Sequence, residues 1–243
     1  AVWPCESVSR PSSNICRKML WTSGCAFSIS SNNTTPRGLA RTRLISCAAP
    51  AGPAFEGAKI SCGLRAMSGA IDKVGYDENA EDLELHTIGH HPPRGVCGTG
   101  LIDAVSTFLR LGMIDPGGRV LEADEAKENL PPKLAARILP NDNGSDVLLV
   151  PKAKTLERRR DLTLTQRDIR ELQLAKGAIR AGVDMALKVW EVSGAQVCKV
   201  LIAGGFGNYI NPAAAMAIGL FPPDITVDKL EFVGNSAAVG AKL

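Results

Sequence analysis

Two glycine turns, one carboxylate and one misplaced lysine are the residues of this sequence best suited to holding a ligand. The run 199–202 is short, apolar and rich in β-branched side chains, and it leads into Gly204, Gly205 and Gly207 ahead of Asn211 and Pro212. A strand, a glycine turn and a helix start bring bare backbone against a ligand at the carboxyl end of the strand. Asn211 is the expected N-cap of that helix and Pro212 its first residue. The second turn, Gly95-Val96-Cys97-Gly98-Thr99-Gly100, runs into an amphipathic helix expected over 101–111 and stopped by Gly112. Free amides at such a helix start suit an anion, and glycine serves close helix packing equally well. Glu56 lies in the first turn of a helix that can start at Pro53. The helix dipole favours an acid there, and the same carboxylate suits a phosphate-bound Mg²⁺ or an attacking water.

The elements that must position these residues read as α/β. A long helix begins at Thr165, which forms a capping box with Asp168, and Gly194 is its expected stop. Its apolar stripe falls at Ile169, Leu172, Ile179, Val183, Ala186 and Trp190, with Lys176 where a further apolar residue is expected. A lysine on such a stripe snorkels to the rim, meets an acid, or reaches into a ligand cleft. Strands are expected at 146–150 and 229–233, and the alternation of Leu83, Leu85 and Thr87 with Glu84 and His86 describes an edge strand. The acidic stretch 77–82 reads as a solvated loop, and the run Arg158-Arg159-Arg160 as a solvated hairpin end. His90 and His91 lack Cys or His partners at ligand spacing and read as an exposed loop before Pro92-Pro93. Cys97 reads as a small buried residue, since no base lies near it in sequence.

Composition narrows the class. The chain has 243 residues, 45% of them hydrophobic and 22% charged, as expected of a globular protein with a sizeable core. A net charge of +3 is too small to argue for nucleic acid, and no apolar run approaches the ~18 residues of a membrane span. Seven cysteines with no C-x-x-C pair argue against a disulfide framework or a zinc knuckle, and fit a reducing, cytoplasmic compartment. Residues 1–44 differ from the rest: rich in Ser, Arg and Thr, with Glu6 as the only acid, they carry +5 and show no lasting helical or strand period. An organelle transit segment, a disordered tail and an out-of-frame start compete for this stretch, and the out-of-frame reading is preferred. The expected organisation is therefore 1–44 unassigned, disordered or non-native, and 45–243 one α/β domain.

Five motifs occur in order: Ala51-Gly52-Pro53-Ala54-Phe55-Glu56-Gly57-Ala58, the turn 95–103, Arg170-Glu171-Leu172-Gln173-Leu174-Ala175-Lys176, Ala203-Gly204-Gly205-Phe206-Gly207-Asn208-Tyr209, and Gly234-Asn235-Ser236-Ala237-Ala238. Together they resemble the carboxyl-terminal domain of reductive activators of corrinoid proteins, from about Leu44 to the end. The resemblance implies a mixed-sheet ATPase domain of the actin/hexokinase/Hsp70 type with flanking helices. It implies ATP with Mg²⁺ as cofactor, a [2Fe–2S] cluster in an amino-terminal domain of the parent protein, and a corrinoid (cobalamin) protein as partner, restored from Co(II) to Co(I). A homodimer is also compatible with it; nucleic acid and membrane are not among its partners. Adenosine is then expected at Gly204, Gly205, Phe206, Gly207 and Asn208, with Gln173 and Lys176 offered by the long helix. Gly98, Thr99 and Gly100 neighbour that cleft, and Glu56 is the candidate catalytic residue. The family's cysteine-rich loop and Asp-x-Gly-Thr phosphate loops are absent, so the expected object is a partial lobe, incomplete at both ends and inactive alone. Two alternatives stand beside it: a docking module for the corrinoid protein without turnover, and another enzyme of the same fold. The latter is a sugar kinase, lacking a visible Asp base, or an activator of a radical dehydratase, for which Cys97 is the cluster cysteine to consider.

Overall fold

The structure is a computed structural model that describes the backbone of residues 17–19, 26–34 and 40–48, and residues 52–142, 144–202 and 209–233. Strands β1 (Arg17–Met19), β2 (Ala26–Thr34) and β3 (Ala40–Ala48) come first. β4 (Ala70–Asp77), β5 (Asp82–Thr87), β6 (Gly95–Val96) and helix α1 (Gly98–Leu111) follow. Next come α2 (Ala123–Asn129), α3 (Pro132–Ala135), β7 (Ile138–Asn141), β8 (Gly144–Val150) and β9 (Leu162–Leu164). The long helix α4 (Gln166–Val189), β10 (Lys199–Ile202), α5 (Pro212–Ala217) and β11 (Leu230–Phe232) complete the described chain.

Three sheets result among the described residues. The largest has the order β1-β3-β2-β10-β11, with β10 parallel to β11 in the register Val200↔Leu230 and Ile202↔Phe232, and antiparallel to β2. The pairing of β2 with β3, for example Ser31↔Arg43 and Asn33↔Arg41, gives residues 26–34 and 40–48 strand structure that no side-chain period announces. Backbone ladders need only N–H and C=O groups, so a strand can form where the residue pattern is silent. The second sheet, β5-β4-β6, does carry β5 at its edge, as the alternation of 83–87 implies. The third, β7-β8-β9, is an antiparallel meander.

The buried face of α4 corrects the expected stripe. Ile169, Leu172, Ala175, Ile179, Val183 and Ala186 are buried, so Ala175 rather than Lys176 completes the row between Leu172 and Ile179. Steps of three and four residues both keep one face, and a small residue at 175 satisfies the row without Lys176. The helix also ends earlier than Gly194. Trp190 is its C-cap and Glu191 takes a left-handed conformation (φ 54), while Gly194 opens a short 3-10 turn capped by Ser193. At its start, α4 has the anticipated capping box: Thr165 Oγ1 accepts from the Asp168 amide at 3.1 Å, and Asp168 Oδ2 accepts from the Thr165 amide at 2.9 Å.

The acidic loop is only partly solvated. Asp77 Oδ1 accepts from the amides of Asn79 and Ala80 to form the turn, whereas Asp82 is gripped by Arg137. The guanidinium donates through Nη2 to Asp82 Oδ2 at 2.9 Å and through Nη1 to the carbonyls of Leu148 and Leu149 at 3.0 and 2.8 Å. One side chain thus links β5 to β8. Arg137 holds the Asp82 carboxyl below its ordinary range, so the pair stabilises the fold above the ordinary carboxylate pKa and loses that contribution as pH falls through the depressed value. Arg137→Ala is expected to cost about 2 kcal/mol at neutral pH, less than a fully buried pair because Asp82 keeps solvent contact. Thermal melts against pH check it: the gap between parent and variant should narrow as acid protonates Asp82.

Candidate functional site

A cleft of about 760 Å³ gathers residues from six parts of the chain, among them Glu56, Asp72, His86, Gly98, Thr99 and Tyr209. Glu56 is delivered by a single 3-10 turn, Pro53–Glu56, closed by Gly57 in the left-handed region (φ 78). The longer helix that Pro53 could have opened does not form. The chain instead folds back so tightly that a Cβ at Gly63 would overlap the Gly57 carbonyl, and one at Gly57 would press on the Leu64 backbone. This loop is bolted down on two sides. The Leu64 amide donates to Val96 O and the Val96 amide to Cys62 O, both at 2.8 Å. The Ser61 amide and hydroxyl donate to Asp168 Oδ1 at 2.8 and 3.1 Å. Asp168 is fully buried, so the capping residue of α4 also holds the loop that presents Glu56.

The glycine turn 95–100 divides its labour. Gly98 and Thr99 line the cleft at the start of α1, which begins three residues earlier than expected with Cys97 as its N-cap. Gly100 is a packing glycine, since a Cβ there would overlap the Ile71 carbonyl oxygen. The packing reading of the turn therefore holds at Gly100, while Gly98 and Thr99 face the cleft. Cys97 is 2% exposed, its thiol donating to Ile71 O at 3.3 Å, and Thr99 Oγ1 lies 3.2 Å from its sulfur. A thiol this enclosed is not presented to an external cluster. Burial, with Asp168 nearby, pushes the Cys62 thiol up to about 12, leaving it protonated and unreactive.

Asp72 and His86 are the residues that sequence reasoning passes over. Between Ile71 and Lys73 the β4–β5 register slips, leaving Asp72 without a cross-strand partner. Such a bulge re-aims a side chain. Here the Asp72 carboxylate meets His86 Nδ1 at 2.6 Å, and the His86 ring stands edge-on to His90 with 5.2 Å between centroids. No spacing rule in one sequence pairs residues fourteen apart across a bulge; only the alternation of β5 placed His86 on a face. His90 and His91 are exposed, as expected.

Gln173 and Lys176 do not line this cleft. They border a separate crevice of about 30 Å³ with Gly118 and Ile218. The Gln173 amide donates to Gly117 O at 2.8 Å and its oxygen accepts from Arg170 at 2.9 Å, tying the turn after α1 to α4. Gly204, Gly205, Phe206, Gly207 and Asn208 lie outside the described residues, as does the motif 234–238. The strand and the cap at its described flanks are as anticipated: β10 leads in, and Asn211 Oδ1 caps α5 by accepting from the amides of Ala213 and Ala214, while Tyr209, for which no role was expected, lines the cleft. Among the described residues no His, Cys, Asp and Glu cluster is suited to a metal ion, and no helix is long and apolar enough to cross a membrane.

Comparison with known proteins agrees with the motif order. Residues 39–243 match the family described as the C-terminal domain of RACo, the ASKHA domain. The corrinoid activation enzyme RamQ of Eubacterium limosum is 36% identical over 192 residues, which is 79% of this chain and 31% of RamQ. A solved structure of a reductive activator for corrinoid, iron-sulfur protein superposes with a TM-score of 0.71 at 34% identity, covering 95% of this chain and 34% of that one. The chain thus spans about a third of the length of these relatives.

Proposed function

The chain belongs to the family of RACo carboxyl-terminal ASKHA domains, with their actin-like mixed α/β fold, and from that premise we propose that it is the nucleotide-binding lobe of an ATP-dependent activator of corrinoid proteins. The observation that carries the reading is the convergence of Glu56 with Gly98 and Thr99 in one cleft bordered by Tyr209, the first described residue after the glycine turn. The cleft suits Mg²⁺-ATP: it offers the amino-terminal end of the 14-residue helix α1 to a phosphate and an exposed carboxylate to Mg²⁺ or water. Adenosine is assigned to the turn 204–208. Gln173 and Lys176 then contribute through the α4 flank, outside the cleft proper.

The partner is a corrinoid protein whose cobalt accepts one electron, Co(II) becoming Co(I), with the electron delivered from a [2Fe–2S] centre carried elsewhere in the parent protein. Cys62 and Cys97 are buried thiols and do not suit that cluster. Binding and hydrolysis of ATP supply the driving force for the uphill step, and this chain's share is to hold the nucleotide and to present Glu56 to the attacking water. Calorimetry and phosphate release with the full-length protein test the assignment. Glu56→Gln should bind Mg²⁺-ATP like the parent and hydrolyse it about a hundredfold more slowly, the usual scale for a lost general base. Unchanged hydrolysis would remove Glu56 from catalysis. No Mg²⁺-ATP binding by the unmodified protein would overturn the nucleotide reading itself.

A further inference from the structure

Behind the cleft wall lies a carboxylate that none of the chemistry above uses. Asp103 sits on the inner face of α1, only 7% exposed, and its Oδ1 has no hydrogen-bond partner. Two elements that line the cleft and the start of a third meet around it. α1 opens with Gly98 and Thr99, β4 contributes Val74 beside the bulged Asp72, and Asn211 approaches from the start of α5, two residues after Tyr209. Asn211 spends its Oδ1 on the amides of Ala213 and Ala214, which leaves its NH₂ group as a donor. A buried carboxylate short of a donor and an amide with a donor to spare are complementary.

We propose that Asp103 is a positioning residue that holds the amide of Asn211 and thereby fixes the exit of the glycine turn, with Tyr209, against β4 and α1. Burial pushes the Asp103 carboxyl up to about 6, and the Val74 amide, the Asn211 side chain and the Lys73 ammonium recover only part of that cost. The charged groups facing it are both on β4, Lys73 and the opposing Asp72, while α5 carries none. The anion therefore depends on Asn211 more than on any ion pair. The effect on ligand affinity rests on the nucleotide reading above; the effect on folding does not.

An exchange of the two side chains tests the pair in the full chain. Asn211→Asp keeps a good N-cap but sets one carboxylate against another. Its melting temperature should fall clearly at about pH 8, with a smaller loss at about pH 5 where Asp103 is protonated. Its Mg²⁺-ATP affinity at about pH 8 should drop roughly tenfold, the scale of coupling between hydrogen-bonded neighbours. Asn211→Ser, which keeps the cap oxygen and removes only the donor, should show a milder loss with the same pH trend. The double variant Asp103→Asn/Asn211→Asp restores a donor facing an acceptor and should recover both stability and affinity at about pH 8. Additive losses in the double variant, or single-variant losses independent of pH, would overturn the proposal. If the unmodified protein does not bind Mg²⁺-ATP, the nucleotide reading falls, and the melting series still decides the role of Asp103.

Discussion

Asp168→Ala is expected to cost about 3–4 kcal/mol and to lower the melting temperature by roughly 10 °C, because it strips a buried carboxylate from two amides and a hydroxyl at once. The Ser61 amide, the Ser61 hydroxyl and the Thr165 amide all donate to it, and only the hydroxyl has a second neighbour, Thr165 Oγ1 at 3.5 Å, among the contacts described for the three donors. Asp168→Asn separates the contributions. Its remaining oxygen can serve Ser61, while its NH₂ group faces the Thr165 donor, so about half of the loss should persist. Limited proteolysis gives the second readout. Freed from Asp168, the loop around residues 57–61 should be cut faster than the α4 start, since it has lost a tether and α4 retains its packed stripe. A variant that melts with the parent would show that the Thr165 and Ser61 donors are satisfied without Asp168. That experiment also bears on function, because the same loop presents Glu56 to the cleft.

Asp168 shows where a sequence is legible and where it stops. As a cap it was visible, three residues after Thr165 and ahead of an apolar stripe, since capping is local and its spacing is fixed by helix geometry. Its second duty, across 107 residues to Ser61, has no local signature. The cleft divides the same way. The glycine turn at 95–100, the cap at Asn211 and the strand 199–202 could be read because each is a short stretch whose backbone demands particular residue types. The pairing of Asp72 with His86 could not, because it depends on a register slip between two strands. Lys176 misled for a related reason. A helical stripe tolerates steps of three or four, and Ala175 filled the row that the pattern assigned to position 176. The β2–β3 pairing was silent because a backbone ladder requires no particular residue pattern. Motif order carried the family further than any single motif, each of which had an ordinary packing explanation.

Gly100→Ala should be among the most damaging single methyl groups near the cleft, costing about 3 kcal/mol or more, at the upper end of overpacking penalties. The added carbon would overlap the carbonyl oxygen of Ile71, which is backbone in a packed strand and cannot swing aside. That oxygen also accepts from the Cys97 amide at 3.0 Å and from its thiol, so any retreat disturbs the start of α1. Ile71 directly precedes the bulged Asp72, and displacement there would pull the carboxylate from His86. The expected result is a lower melting temperature together with weakened Mg²⁺-ATP binding in the full-length protein. Gly177→Ala is the matched control. It adds the same carbon to a helix where nothing lies within 4 Å, and the helix preference for alanine should raise stability by about 0.5–1 kcal/mol. Two identical substitutions on helices then move in opposite directions, which separates the close approach of α1 to β4 from any general effect of losing a glycine. Equal shifts in the two variants would mean that α1 can ride away from β4 without cost, and the packing role of Gly100 would be lost with it.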